Sequence, residues 1–482
     1  MVEIAVDQLA SATGARLVAG GGEGLCRGCV IDSRQVASGS VFVAFPGERV
    51  DGNAFAPQAV SAGAGCVVMT IEPSRELVDQ ARAAGCALMV VEDPTEFLLR
   101  FAAWYRERLG ALVVGITGSI GKTTTKDVMT ALLSRNWRVH ATKGNFNNLI
   151  GLPLTILSAP ATTQVLVLEM GMNHFHEIDR LSACARPNLG VITKIGTSHI
   201  GILGSRENIA RSKSEIVSGM APFVFNGVEH APVLLLHGED DFTDFIEREF
   251  ARPAGVEVLR CGTGEHNAVR SANIELDECG YPHFDLTFEQ GETHTVRVGV
   301  PGAQAVPNSL FAVAVAGRLG VSPQDVVEAL GELSLTGRRV QVRHTATGAR
   351  VIDDSYNASA ESMAAGLDLA STLPCAGSRI AILGEMGEMG DEAPRMHALV
   401  GSYVAAKKFS MLICVGGELA QEMASAARLM GMDDGDIQVV PTTDILIDRF
   451  SGLLGDTDLA LVKGSRSVGL DRFVEEVCAD VR

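Results

Sequence analysis

The run Ala111-Leu112-Val113-Val114-Gly115-Ile116-Thr117-Gly118-Ser119-Ile120-Gly121-Lys122-Thr123-Thr124 carries the main structural message of this 482-residue chain. Ala111–Gly115 is an unbroken apolar run, as expected of a strand buried on both faces of a parallel sheet. Thr123–Leu133 then takes helical periodicity. Between them, glycines allow backbone N–H groups to turn inward around phosphate oxygens. The N-terminus of the helix adds its positive end. Lys122 supplies a charge for β and γ phosphates, and the Thr123 hydroxyl is placed for Mg²⁺. Gly118, Ser119, Ile120, Gly121, Lys122, Thr123 and Thr124 are therefore expected to bind a nucleotide. The loop departs from the strict G-x-x-x-x-G-K-[ST] form, since Ile116 stands where the first glycine would be. A glycine turn with a chance Lys-Thr is the bland alternative, and the strand before and helix after weigh against it.

The same strand–loop–helix pattern extends outward. Val165–Leu168 and Gly190–Thr193 read as further buried strands, and ligands gather at the carboxyl ends of such strands. Glu169 ends the first and is expected to hold Mg²⁺. His199 follows the second, where a satisfied polar residue and a ligand are equally good readings. Lys213, in Arg211-Ser212-Lys213-Ser214, reads by spacing as a helix-surface lysine.

Three domains are expected: a small α/β unit over 1–108, a central doubly wound P-loop domain over 109–335, and a Rossmann-like α/β domain over 336–482. Helical spacing in Glu96–Arg108 links the first two. Residues 236–300 are less legible, and alternation in His294–Val300 suggests an antiparallel accessory sheet. In the third region Ala349–Ile352, Arg379–Leu383, Met411–Val415 and Leu459–Val462 read as buried parallel strands. No G-x-G-x-x-G is present there to suggest a dinucleotide.

Hydrophobic residues make up 46% and charged residues 20%, enough apolar material for several cores. The net charge of −18 argues against a general nucleic-acid binder, which needs Lys and Arg against phosphates. No basic start precedes a long apolar run, and no stretch reaches the roughly 18 apolar residues of a membrane span. A cytoplasmic protein without membrane insertion is expected. The ten cysteines are scattered, with one C-x-x-C at Cys26 and Cys29. Reduced core thiols are the leading reading, with zinc or redox roles secondary.

Taken together the motifs resemble the Mur ligase family, and the likeness covers nearly the whole chain. Thr117–Thr125 looks like its nucleotide loop and Glu169-Met170-Gly171-Met172-Asn173-His174 like its acidic motif. The resemblance implies three domains and ATP-dependent amide ligation. It also implies a metal-binding His199 and a carbamylated Lys213 that offers an oxygen to a second Mg²⁺. The metal ligands would then be Thr123, Glu169, His199 and Lys213. Arg338 resembles the family arginine that reaches the γ-phosphate.

Within the family, Gly144-Asn145-Phe146-Asn147-Asn148, Asp353-Asp354-Ser355-Tyr356-Asn357 and Leu461-Val462-Lys463-Gly464-Ser465-Arg466 are similar to the branch that adds D-alanyl-D-alanine to UDP-N-acetylmuramoyl-tripeptide. That likeness implies these two substrates as partners, and a monomer. It places Ser33, Arg34, Asn147, Asn148, Ser355, Tyr356, Asn357, Lys463 and Arg466 at the substrates. Asn308 falls to the adenine, and Asp353 or Asp354 to the ribose. Three positions depart from the family pattern. Gln304 and Ala305 stand where a His-Asn pair is usual, Glu385 replaces Asp in G-D-M, and Asn53 replaces His after Asp51-Gly52.

The implied chemistry is an acyl phosphate made from ATP and a carboxylate, then attacked by an amine. Other amide ligases of this architecture, such as the folylpolyglutamate and cyanophycin types, a P-loop ATPase without an amine acceptor, and a catalytically weak scaffold remain as alternatives.

Overall fold

The computed structural model describes residues 1–21, 24–47, 50–333 and 340–478. The centre is a nine-stranded sheet in which β1 (Leu112–Thr117), third from one edge, lies between β2 (Val165–Glu169) and β3 (Leu189–Ile192). Both pairings are parallel, and their register sets Glu169 beside Ile116 and Ile192 beside Thr117. Three strands thus deliver their carboxyl ends to one crevice.

The apolar run of β1 behaves as a strand covered on both faces. Val113 joins a core with Leu166, Leu168, Ile178 and Leu181. Val114 and Ile116 join the opposite core with Val128, Met129 and Leu132 of α1 (Lys122–Leu133) and with α4 (Ala305–Arg318). The α2 (Ile200–Leu203) and α3 (Arg206–Ser214) helices follow β3.

Residues 1–90 carry a separate five-stranded sheet. The helix Pro94–Leu109 joins it to the centre, and Phe97, Phe101 and Tyr105 pack into the same core as Leu166. The Tyr105 hydroxyl donates to the Ala159 carbonyl at 2.8 Å. Asn53, in place of the family histidine, ties its loop to a strand end. Its side chain bonds Asp51 and the Thr70 hydroxyl at 2.8 Å each and accepts from Thr70 N at 3.0 Å.

The antiparallel accessory sheet expected around residues 236–300 is not separate. Val233–His237 and Glu257–Gly262 continue the parallel order, and only Val269–Leu276, Pro282–Thr287 and Thr293–Arg297 meander antiparallel at the same sheet's edge. The meander joins the main sheet through Cys261 with Val269 and Gly262 with Arg270. Periodicity in one strand cannot reveal such an attachment.

The C-terminal sheet has six strands, among them β4 (Arg350–Asp354), β5 (Arg379–Gly384) and β6 (Leu459–Lys463), with β6 between β4 and β5. All neighbours pair in parallel except the edge strand Gln341–His344. The helix α5 (Ala360–Thr372) follows β4, and its Ser359 and Ser362 form a reciprocal cap.

Leu166 is wholly buried in β2. Leu166→Ala is expected to destabilise the central domain by about 2–5 kcal/mol. Denaturant unfolding followed by tryptophan fluorescence checks this, and a loss under about 1 kcal/mol would contradict the packing described.

Candidate active site

The loop between β1 and α1 is built by close approach. Gly118 has φ +144° and a Cβ there would overlap the Thr193 hydroxyl; Gly121 has φ +88° and faces Asn308 Oδ1 in the same way. Only glycine fits either position. Ser119 N donates to the Lys194 carbonyl at 2.8 Å, and the Thr193 hydroxyl donates to the Ile120 carbonyl. The Lys122 ammonium lies back over the loop and donates to the Gly118 carbonyl at 2.6 Å.

At the mouth of this loop the Thr123 hydroxyl donates to Glu169 Oε2 at 3.1 Å. Glu169 is 1% exposed, and its other oxygen, Oε1, is buried with no hydrogen-bond partner among the described residues. Lys126, one turn after Lys122, stands 3.8 Å from that oxygen and donates to the Thr142 carbonyl at 3.1 Å. The Thr142 hydroxyl accepts from Glu169 N at 3.0 Å and fixes the strand end.

No cluster of three His, Cys, Asp or Glu side chains suited to a metal occurs among the described residues. Magnesium does not need one, because it is commonly held by one or two protein oxygens plus phosphates and water. A hydroxyl and a buried carboxylate with a free oxygen fit that requirement.

Lys213 overturns its reading as a surface lysine. It is 1% exposed, and among the described residues its charged neighbour is Lys122 rather than a carboxylate. Burial, with help from the charge of Lys122, pushes its ammonium well below the usual lysine range. The only apolar residues of α3 are Ile209 and Ala210, both buried, and they do not announce that Ser212, Lys213 and Ser214 are buried as well. Lys213 is nevertheless buried, with Lys122 of the phosphate loop as its charged neighbour.

His199 has φ +67° and meets Glu388 Oε2 of the C-terminal domain at 2.8 Å from Nδ1. Asn148 caps a helix, its Oδ1 accepting from Gly151 N at 2.8 Å. Asn147 lies against the acidic motif, its carbonyl accepting from Gly171 N at 2.7 Å. Asn308 sits on α4 and accepts from the Thr125 hydroxyl at 3.4 Å, which places it behind the phosphate loop.

In the C-terminal domain Lys463 is buried and donates to Asp354 Oδ2 and to the Asn357 carbonyl at 2.9 Å. The Arg466 guanidinium lies 5.5 Å from the centre of the Tyr356 ring. Asp353 is wholly buried and accepts from the Ser355 hydroxyl at 2.6 Å. Ser33 and Arg34 bond within their own domain, to Gln58 and Asp32. Arg338 lies outside the described residues.

Sequence reasoning misses Lys126, Glu361 and the partnership of Glu388 with His199. Lys126 follows Lys122 by four residues on one helix face, which is a usable signal. Glu361 and Glu388 lie close to motifs that draw attention to other residues. No C-x-x-C centre forms around Cys26 and Cys29: Cys26 is buried beside Cys66, and all ten cysteines are free thiols.

Three family models cover the chain: the Mur ligase middle domain over residues 116–316, the Mur ligase glutamate ligase domain over 338–466, and the Mur ligase family catalytic domain over 26–106. The chain belongs to the Mur ligase family. Its similar relatives include the UDP-N-acetylmuramoyl-tripeptide–D-alanyl-D-alanine ligase of Bacillus subtilis, 34% identical over 450 residues, with 93% of each chain covered. Solved structures include MurF from Acinetobacter baumannii, at a TM-score of 0.86 and 29% identity over 100% of both chains. MurF from Thermotoga maritima in complex with ADP gives 0.79 and 25%, covering 94% of this chain and 97% of that one.

The buried Lys213 makes stability depend on pH. Its folded value lies well below the unfolded value of about 10.4, so between the two the unfolded chain binds the extra proton and stability rises with pH. In bicarbonate-free buffer the wild type should therefore gain on Lys213→Met as pH rises toward 10, by up to about 1.4 kcal/mol per unit. Melting curves of both proteins from pH 7 to about 10 test this, and a constant difference would contradict a neutral buried amine.

Proposed function

We propose that this protein joins D-alanyl-D-alanine to the terminal carboxylate of UDP-N-acetylmuramoyl-tripeptide, converting ATP to ADP and phosphate. The observation that carries the reading is the shared crevice at the ends of β1 and β2, where the phosphate loop meets Thr123 and Glu169 at 3.1 Å. The similarity to ligases of that name over 93% of the chain supports the choice of substrates.

A carboxylate has no leaving group at neutral pH, so an amine cannot displace oxygen from it directly. The tripeptide carboxylate attacks the γ-phosphorus of ATP, the bond to ADP breaks, and an acyl phosphate forms. The amine of D-alanyl-D-alanine then attacks that carbonyl, phosphate leaves, and the amine proton passes to solvent or base. The first step brings two anions together, so the protein's work is neutralisation and alignment. The loop N–H groups hold the phosphates and Lys122 offsets their charge.

Thr123 and Glu169 would hold a magnesium ion, and His199 with Lys213 a second; bound there, they supply positive charge to the phosphates and the carboxylate. The downward shift of the Lys213 ammonium supports carbamylation, because only the free amine adds CO₂ and releases a proton. Arg338 is assigned to the γ-phosphate.

Asn308 is assigned to the adenine side of the loop. Asp353 is sealed off, which favours Asp354 as the ribose contact. Ser355, Tyr356, Asn357, Lys463 and Arg466 are assigned to the dipeptide. Ser33 and Arg34 are assigned to the UDP-sugar, with Asn147 and Asn148 toward the peptide. Among the described residues no helix is long and apolar enough to cross a membrane. A cytoplasmic monomer accords with a water-borne nucleotide-sugar substrate.

Phosphate release and product formation, measured with UDP-N-acetylmuramoyl-tripeptide with and without D-alanyl-D-alanine, test the reading. Product is expected only with both substrates; ATP hydrolysis indifferent to the dipeptide would instead indicate a simple ATPase. Lys122→Ala should lower turnover at least about a hundredfold while the protein stays folded. Lys213→Ala should lose most activity. A near-normal rate in either variant would remove its residue from the mechanism.

A further inference from the structure

Among the described residues the C-terminal domain is linked to the phosphate loop by the short segment Thr193–His199. On one side this segment is bonded to the loop: Ser119 N donates to the Lys194 carbonyl at 2.8 Å and the Ser198 hydroxyl to the Ser119 carbonyl at 3.3 Å. On the other side Thr197 N donates to Glu361 Oε1, at the start of α5, at 2.7 Å. Gly196 allows the approach, since a Cβ there would stand 2.8 Å from the same oxygen and 3.3 Å from the Ser119 Cβ. The contact is reinforced where Glu388 meets His199 and where Gly201 touches Gly390, a spot too tight for any Cβ.

Glu361 has no local task. Its helix is already capped by Ser359 and Ser362. Among the described residues its Oε2 is buried without a hydrogen-bond partner, as are the Thr197 hydroxyl and the Ser119 hydroxyl across the junction. Burying a carboxylate oxygen unpaired is costly, so the arrangement persists only if the docked state is held by other contacts. A charge-assisted bond from a backbone N–H is directional and is lost when the domains part by an ångström or two.

We propose that Glu361 is a positioning residue that registers the C-terminal domain on the Thr193–His199 segment, so that docking is coupled to the nucleotide loop and water is kept from the activated carboxylate. This rests on the ligase reading above. Glu361 touches neither the reacting atoms nor the residues assigned to the dipeptide. Its loss should loosen closure without removing any assigned substrate contact.

The test compares the full-length wild type with Glu361→Ala, Glu361→Gln and Glu361→Asp. Phosphate released and dipeptide ligated are measured in the same reaction with all three substrates, and ADP affinity separately. The wild type should release one phosphate per bond made, and its ligation also checks the reading on which the proposal rests. Glu361→Ala should ligate about tenfold more slowly or worse, the scale of one lost charge-assisted hydrogen bond, and release excess phosphate. Its ADP affinity should stay within about twofold. Glu361→Gln keeps the accepting oxygen and should restore the one-to-one ratio. Glu361→Asp keeps the charge but shortens the reach, and should leak even if the alanine variant folds poorly. Wild-type ligation alongside unchanged rate and stoichiometry in the Ala and Asp variants would overturn the proposal.

Discussion

The register of three parallel strands governs everything else in this molecule. Strand β1 is flanked by β2 and β3, and the pairing of Glu169 with Ile116 and Ile192 with Thr117 sets three strand ends at one height. A slip of one residue would turn Glu169 to the other face of the sheet and leave the phosphate loop without its carboxylate. The register is held from both sides by apolar packing, which makes the position of a polar site a consequence of the cores above and below it.

Electrostatics explains how so acidic a chain can hold a polyanion. The formal charge is −18 overall, yet Lys122 and Lys126 stand together at the phosphate loop, with Lys126 set against the carboxylates of Asp127 and Glu169. Charges in a partly buried cleft act in a lower effective dielectric than surface charges, so a few well-placed lysines outweigh many exposed acids. The same burial, with the charge of Lys122, pushes the Lys213 ammonium well below the usual lysine range and so favours its free amine.

The parts of this design that lie close together along the chain are legible in the amino-acid sequence alone. Continuous apolar runs mark β1, β2 and β3 within a residue or two, because strands buried on both faces leave no other pattern. The phosphate loop is legible because its glycines are demanded by local geometry. Lys213 misleads, because a mostly polar helix with only Ile209 and Ala210 as apolar residues does not announce that its last turn is buried. The antiparallel edge of the central sheet reads as a separate sheet, since strand pairing across distant segments leaves no local trace. Glu361 and Glu388 carry no local signal for the same reason: their meaning lies in contacts with the central domain. The choice between Asp353 and Asp354 needs burial, which their adjacent positions in sequence cannot supply.

The account depends on a substrate carboxylate capturing the terminal phosphate of ATP in this crevice. Tripeptide substrate carrying ¹⁸O in its terminal carboxylate tests that event directly. Mass spectrometry of the phosphate released during ligation should find one ¹⁸O atom transferred from substrate to phosphate in each turnover. Phosphate free of the label, with the departing carboxylate oxygen found in water instead, would show that no acyl phosphate forms and would contradict the mechanism.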